Sequence, residues 1–123
     1  APLPTEPVGV GSTWKFKRAG EANGVKMATV NKFELIELKD HGVTGLCCGG
    51  GGGVVSNQRS APLRHKVFEL KRQQVEATGA ERFVTSCGQC RITLEMGARH
   101  AQWGKKTESL LELVADNLVD SSA

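Results

Sequence analysis

The chain has 123 residues, of which 39 % are apolar and 5 % aromatic, and its formal net charge is +3. This length suits one domain with a hydrophobic core, and the small, mixed charge argues against a nucleic-acid-binding surface. No apolar run is long enough to cross a membrane, and the first residues have neither the basic start nor the apolar stretch of a signal peptide. We therefore expect a cytoplasmic protein, either free or associated with a membrane complex.

The N-terminal part of the sequence predicts a lead-in followed by β-structure. Residues 1–12 contain three of the four prolines, which indicates a flexible or extended segment, so a single domain is expected over residues 13–123. The alternation of apolar and polar residues at 14–17 predicts a short strand. Residues 19–29 are ambiguous, because their glycines interrupt a long helix but leave room for a short one. Residues 33–38 are β-prone and predict a second strand.

A turn over residues 39–43 leads to the first cysteines, and a long helix is predicted to begin after Ser60. Ser60 is a favourable N-cap, Pro62 is tolerated in the first turn, and Gly79 is a natural C-terminal stop. Apolar side chains at helical spacing are expected to face the core: Leu63, Val67, Leu70 and Ala77. The basic side chains of this helix are expected to face water: Arg64, Lys66, Lys71 and Arg72.

The C-terminal part predicts a strand and two further helices. Residues 82–86 are typical of a strand, which would deliver Cys87 at its carboxyl end. The next helix is expected to start at Cys90 and to run toward Ala98 through Ile92, Leu94 and Met96. After a connection over residues 100–106, Thr107 is predicted to cap a final helix. Its apolar stripe consists of Leu110, Leu111, Val114 and Leu118.

All four cysteines occur in two short stretches of the sequence. Cys47 and Cys48 are followed by five glycines, whereas Cys87 and Cys90 form a Cys-x-x-Cys motif. Neighbouring residues of an extended strand point to opposite faces, so the two adjacent thiols converge only on a bent backbone, which the glycines permit. The Cys-x-x-Cys spacing places two sulfurs on one turn, as metal ligands or as a dithiol/disulfide couple.

These patterns together predict an α/β fold with a small parallel-type sheet and a metal site. Strands that alternate with helices favour a parallel arrangement, and ligands of such sheets collect beyond the carboxyl ends of the strands. Both cysteine loops follow predicted strands, so we expect them to form one site at those ends. The predicted metal ligands are Cys47, Cys48, Cys87 and Cys90, and the predicted cofactor-binding glycines are Gly49, Gly50 and Gly51.

Other interpretations of the cysteines stay open. Cys87 and Cys90 could act in thiol–disulfide redox chemistry, or all four could be structural thiols. A helix starting at Cys90 would lower the pKa of that thiol through the positive end of its dipole. His41 is the reserve ligand because it lies nearest the site in sequence, and Arg91 is a candidate to balance thiolate charge. Trp14 and Trp103 are expected to be packing residues.

The cysteine pattern also resembles a known family. The Cys47–Gly53 loop, followed downstream by Cys87-Gly88-Gln89-Cys90, is similar to the cysteine-rich CCG domain, and the similarity covers roughly residues 33–118. That domain occurs in heterodisulfide reductase and in the iron–sulfur subunits of glycolate oxidase and anaerobic glycerol-3-phosphate dehydrogenase. It also occurs in E-type succinate dehydrogenase subunits.

The resemblance implies an α/β fold, a 4Fe-4S cluster and electron transfer. The chain would then be a subunit or fragment of an oxidoreductase, with a flavoprotein or a ferredoxin-like iron–sulfur subunit as partner. Zinc is the alternative cofactor, because some CCG modules bind it. The family motif has a further upstream cysteine, but residues 6–15 contain none, and Thr13 or Trp14 stands at the likely equivalent position. The four thiols present suffice for one tetrahedral zinc or one cubane cluster.

Overall fold

The computed structural model describes residues 6–7, 9–22 and 24–118. The lead-in predicted for residues 1–12 therefore lies partly outside the described residues. The chain divides into two compact units, residues 1–37 and residues 38–123. Each unit is considered by itself below.

The first unit is a β-hairpin. Strand β1 (Thr13–Ala22) pairs antiparallel with β2 (Val25–Glu34), in a register that sets Trp14 opposite Phe33. Those two rings stack with centroids 5.6 Å apart, which confirms a packing role for Trp14. Gly24, beside the connection, has a φ of +78°, a conformation that glycine adopts without steric cost.

The hairpin confirms one sequence prediction and corrects two. The strand predicted at residues 14–17 exists as part of β1. The short helix considered for residues 19–29 is wrong, because pairing between β1 and β2 holds this stretch in extended conformation. The strand predicted over 33–38 is wrong beyond Glu34, where β2 ends. Leu35 still exchanges backbone hydrogen bonds with Gly11 and Ser12 at the open end of the hairpin.

The second unit contains three α-helices and two short strands. Three 3-10 helices, Gly42–Thr44, Gly51–Ser56 and Gln58–Ser60, precede the first α-helix. The remaining elements in chain order are α1 (Ala61–Ala77), β3 (Phe83–Thr85), α2 (Gly88–His100), β4 (Thr107–Ser109) and α3 (Leu110–Ala115).

Strands β3 and β4 pair in parallel, with Phe83 opposite Thr107. Helix α2 connects them, so residues 83–109 form a β-α-β unit. This unit confirms the predicted combination of helices with a small parallel sheet. Cys87 follows β3 as predicted, whereas an irregular segment, not a strand, precedes the first cysteine pair. Thr107 lies buried in β4 and is not the cap of the last helix; that cap is Ser109, which accepts from the Glu112 amide at 3.4 Å.

Helix α1 has the predicted boundaries but presents a different face to the core. It begins after Ser60 and is followed by Gly79 at a φ of +67°, whereas the buried residues are Arg64, Phe68, Lys71 and Val75. The expected core face is wrong, since Leu63 and Leu70 remain 62 % and 53 % exposed. The rotation of the helix is fixed by Phe68, which packs where α2 has Gly97.

Helix α2 meets α1 at that glycine. A Cβ on Gly97 would lie 2.7 Å from Phe68 Cβ and would overlap the ring, so the close approach requires glycine. Phe68 forms a core cluster with Cys48, Leu94 and Ala98. Trp103 adds edge-to-face contacts to Phe68 and to Phe83, with centroid distances of 5.7 Å and 6.4 Å, which confirms its packing role.

Several apolar side chains of the helices lie at the surface. Of the residues through which α2 was predicted to run, Leu94 is buried, whereas Ile92 and Met96 are exposed. The predicted stripe of the final helix is also exposed: Leu110, Leu111, Val114 and Leu118. Among the residues described, no helix has both the length and the apolarity to cross a membrane.

A pair of histidines joins α1 to the end of α2. The rings of His65 and His100 stack with centroids 3.5 Å apart and an interplanar angle of 10°. Burial lowers the pKa of His65 from its ordinary value of 6.5, and the nearby His100 and Arg64 lower it further. Protonation of His65 is therefore disfavoured in the folded state.

The histidine stack predicts a pH dependence of stability. Because the folded pKa of His65 lies below 6.5, the unfolded chain binds this proton more tightly. The free energy of unfolding should be highest above that pH and should fall as the pH drops below it. Urea unfolding between about pH 8 and about pH 5 measures this fall. His65→Gln should flatten this fall, and an unchanged profile in that variant would contradict the assignment.

Candidate metal centre

The first cysteine loop places its two thiols in different surroundings. Cys48 is 8 % exposed and belongs to the core cluster around Phe68, whereas Cys47 is exposed. The amide of Gly49 donates to Cys47 Sγ at 3.3 Å. The predicted bend exists at Gly49, which has a φ of +84°, but one thiol faces the surface and the other faces the core.

The glycines after the cysteines allow the loop to approach both helices closely. A Cβ on Gly49 would lie 3.2 Å from the Val67 side chain of α1, and one on Gly50 would lie 3.0 Å from Thr93 Cβ of α2 and overlap its hydroxyl. Gly51 has open space around its Cβ position. Gly49 and Gly50 thus shape the loop through contacts within the protein, and cofactor binding by Gly49, Gly50 and Gly51 stays a prediction.

The two thiols of the second loop have different electrostatic surroundings. Cys87 is exposed and occupies the N-cap of α2, where its Sγ accepts from the Cys90 amide at 3.5 Å. That hydrogen bond lowers the pKa of Cys87. Cys90 lies in the first turn, where burial, together with Cys48 and Cys87, raises its pKa to about 12. The lowered pKa predicted for Cys90 is therefore wrong, and Cys87 has it instead.

Cys90 connects the two loops. Its thiol interacts with Cys48 of the first loop and with Cys87 of its own, and the side-chain amide of Gln89 reaches Gly50 O at 3.5 Å. Cys47 stays at the surface.

Within residues 6–7, 9–22 and 24–118, no group of three or more His, Cys, Asp or Glu side chains has an arrangement that could hold a metal ion. The soft thiol donors fit zinc or an iron–sulfur cluster by their chemistry, and ligation by all four cysteines stays a prediction.

Two basic residues of α1 that were expected to face water are buried, and they bind the ends of the cysteine loop. Lys71 Nζ donates to Leu46 O at 2.9 Å, directly before Cys47. Arg64 Nη1 donates to Val54 O at 2.7 Å and to Asn57 O at 2.6 Å, beyond the glycines. Both side chains are 7 % exposed.

A signal for these two residues is present in the sequence. Arg64 and Lys71 share one helical face with Phe68 and Val75, at spacings of three and four residues. A long basic side chain on the same face as a core aromatic has room to reach along the core to a polar partner.

The other predicted charged residues, Arg91 and His41, have partners other than the thiols. Arg91 pairs with Glu95 at 3.3 Å and with Glu112, so carboxylates, not thiolates, balance its charge. His41 is exposed at the start of the first 3-10 helix, and its carbonyl accepts from the hydroxyl of Thr44 at 3.0 Å.

Comparison with known proteins places the chain in a family. Residues 15–95 match the CCG family, described as a cysteine-rich domain, and the chain belongs to that family. It is also similar to a probable membrane-anchored ferredoxin of Chromohalobacter salexigens, with 36 % identity over 63 residues. The match covers 51 % of this chain and 9 % of that protein, so the chain spans a small part of this relative's length. No solved structure matches the chain.

The contact between Gly50 and Thr93 gives a prediction about the loop. Gly50→Ala should reduce the free energy of unfolding by about 1–3 kcal/mol, because the added methyl group overlaps the Thr93 side chain. Gly51→Ala, beside it in open space, is the control and should change it by less than about 0.5 kcal/mol. Denaturant unfolding measures both.

A double-mutant cycle identifies the cause of that loss. Thr93→Ala removes the overlapping hydroxyl, so its effect combined with Gly50→Ala should be smaller than the sum of the two single effects. Additive effects would show that the Gly50 methyl group is not in contact with Thr93.

The two thiols of the Cys-x-x-Cys motif should differ in reactivity. In reduced, metal-free protein at about neutral pH, Cys87 should react with iodoacetamide at least about tenfold faster than Cys90, because the thiolate is the nucleophile and the pKa of Cys90 is about 12. Peptide mapping by mass spectrometry follows each site. In denaturant the two rates should converge. Equal rates in the folded protein would contradict the different surroundings assigned to Cys87 and Cys90.

Proposed function

We propose that the chain is an iron–sulfur electron-transfer module of a heterodisulfide-reductase-like oxidoreductase, with a 4Fe-4S cluster ligated by four cysteines: Cys47, Cys48, Cys87 and Cys90. The observation that carries this proposal is the position of Cys90, which packs against the core cluster that contains Cys48 and whose amide donates to Cys87 Sγ, in a chain that belongs to the CCG family. Four thiolates are the usual ligand set of such a cluster. The cluster would supply one-electron chemistry, and the chain would supply its position and its surroundings.

Backbone amides near the sulfurs support this assignment. The amide of Gly49 donates to Cys47 Sγ, and the amide of Cys90 donates to Cys87 Sγ. Hydrogen bonds to ligating sulfur stabilise thiolate and tune the reduction potential of a centre. The glycine loop, with Gly49, Gly50 and Gly51, would enclose one side of the cluster with backbone instead of side chains.

The proposed partners are other subunits or domains of a redox complex. A flavoprotein or a ferredoxin-like iron–sulfur subunit would exchange electrons with this module. The relative's description as a probable membrane-anchored ferredoxin supports an electron-transfer context, and it supports association with a membrane complex through another part of the assembly.

Two other functions have specific support. Four cysteines also fit a structural zinc site, which needs four ligands in a tetrahedron. Thiol–disulfide exchange is favoured by the contrast between Cys87, exposed with a lowered pKa, and Cys90, half-buried with a raised pKa, because an attacking thiol and a shielded partner need this difference.

Serine variants of each cysteine should separate the three functions. Protein is purified without oxygen, and its iron, sulfide, zinc and visible absorption are measured. If the proposal is correct, the wild type contains iron and sulfide and absorbs in the visible, and each of the four Cys→Ser variants loses most of the metal, because each leaves an open coordination position. Ser86→Ala, next to Cys87, is the control and should keep the bound metal.

Different outcomes identify the alternatives. Colourless protein with stoichiometric zinc supports the structural site. Loss of disulfide-exchange activity in Cys87→Ser and Cys90→Ser alone, without bound metal, supports the thiol enzyme. Full metal retention in both Cys47→Ser and Cys48→Ser contradicts a centre shared by the two loops.

A further inference from the structure

The buried face of α1 carries two positive charges toward the cysteine loop. Lys71 and Arg64 are each 7 % exposed, and their hydrogen bonds go to backbone carbonyls on either side of the cysteines and glycines. In the part of the chain that the structure describes, neither side chain forms an ion pair. A buried charge without an opposite charge is costly, because carbonyl dipoles replace only part of its hydration.

Neighbouring carboxylates are engaged elsewhere. Asp40, which precedes the cysteine loop, accepts a hydrogen bond from Gln74. Glu69 and Glu76, on α1 itself, pair with Arg72. The positive charge of Lys71 is thus directed at a loop that holds no carboxylate, since residues 41–57 contain neither Asp nor Glu.

The two cations bind at opposite ends of the loop. Arg64 Nη1 has three oxygen acceptors, Val54 O, Asn57 O and Ser60 Oγ, all within 2.8 Å. The described hydrogen bond of Lys71 is the single one to Leu46 O, at 2.9 Å, although an ammonium group has three donors. Arg64 therefore holds the far end of the loop, whereas Lys71 donates directly before the first cysteine and has two further N–H donors there.

We propose that Lys71 is a positioning residue for the metal–thiolate centre, which fixes the backbone before Cys47 and supplies the positive charge that stabilises an anionic centre. The inference rests on the proposed function in that it needs a centre held by the thiols. Four thiolates carry more negative charge than a zinc ion or a cluster core carries positive charge, so the loaded centre is anionic. A nearby buried cation therefore favours the loaded state over the empty one. It also favours the reduced, more negative state of a redox cluster over the oxidised state.

Three substitutions at Lys71 separate charge from structure. Lys71→Met removes the charge and the donor, Lys71→Gln removes the charge and keeps a donor, and Lys71→Arg keeps both. Lys66→Met removes an exposed lysine of the same helix and is the matched control. Each variant is first tested for folding by urea unfolding of the metal-free and metal-loaded protein.

Two measurements then report on the centre. Co²⁺ is titrated into reduced, metal-free protein and its thiolate absorption is followed; the two neutral variants should bind at least tenfold more weakly than the wild type. In protein reconstituted with iron and sulfide, the reduction potential should become more negative in the same variants by about 59 mV or more, which corresponds to a tenfold change for a one-electron couple. Lys71→Arg and Lys66→Met should stay near wild type.

Each other result contradicts the inference or the proposed function. Unchanged Co²⁺ affinity and reduction potential in the two neutral variants would overturn the inference about Lys71. Equal changes of both quantities in Lys66→Met would also overturn it. Failure of both neutral variants to fold even with metal would make Lys71 a structural residue only. A wild type that takes up Co²⁺ but no iron–sulfur cluster refutes the proposed function, and the Co²⁺ arm then still tests Lys71. A wild type that binds neither refutes both.

Discussion

The arrangement of the second unit depends on the contact between Phe68 of α1 and Gly97 of α2. The ring occupies the space that a side chain on Gly97 would need, so the helices approach closely and both are fixed in rotation. The same contact defines the core, because Cys48, Leu94 and Ala98 cluster around Phe68. Cys48 from the first loop and Cys90 from the start of α2 meet as a consequence.

Among the described residues no strand pairs with the cysteine loop, and side chains of the helices bind its backbone instead. Carbonyls at both of its ends are satisfied by Lys71 and Arg64, and its middle lies on α2 because Gly50 has no side chain. Buried backbone groups need such partners, and five consecutive glycines lose much conformational entropy on ordering. Anchoring the loop from one helix offsets part of that loss.

The two thiols of the Cys-x-x-Cys motif are not equivalent. Cys87 is stabilised as a thiolate by the Cys90 amide, whereas Cys90 is held as a thiol by burial and by its two neighbours. A bound cation would remove this difference, because metal binding favours deprotonation of every ligand and couples it to local folding.

Local chemistry predicted the ends of α1 from Ser60 and Gly79, and the strand before Cys87 from a short β-prone run. The Cys-Cys-Gly and Cys-x-x-Cys motifs gave the resemblance to the family that the comparison confirmed. The hairpin and the buried face of α1 became visible only in the folded chain. The hairpin depends on pairing between β1 and β2, which single-strand patterns do not encode. On α1, hydropathy favours Leu63 and Leu70, but Phe68 fits against Gly97, and this rotation carries Arg64 and Lys71 inward to carbonyls that exist only once the loop has folded.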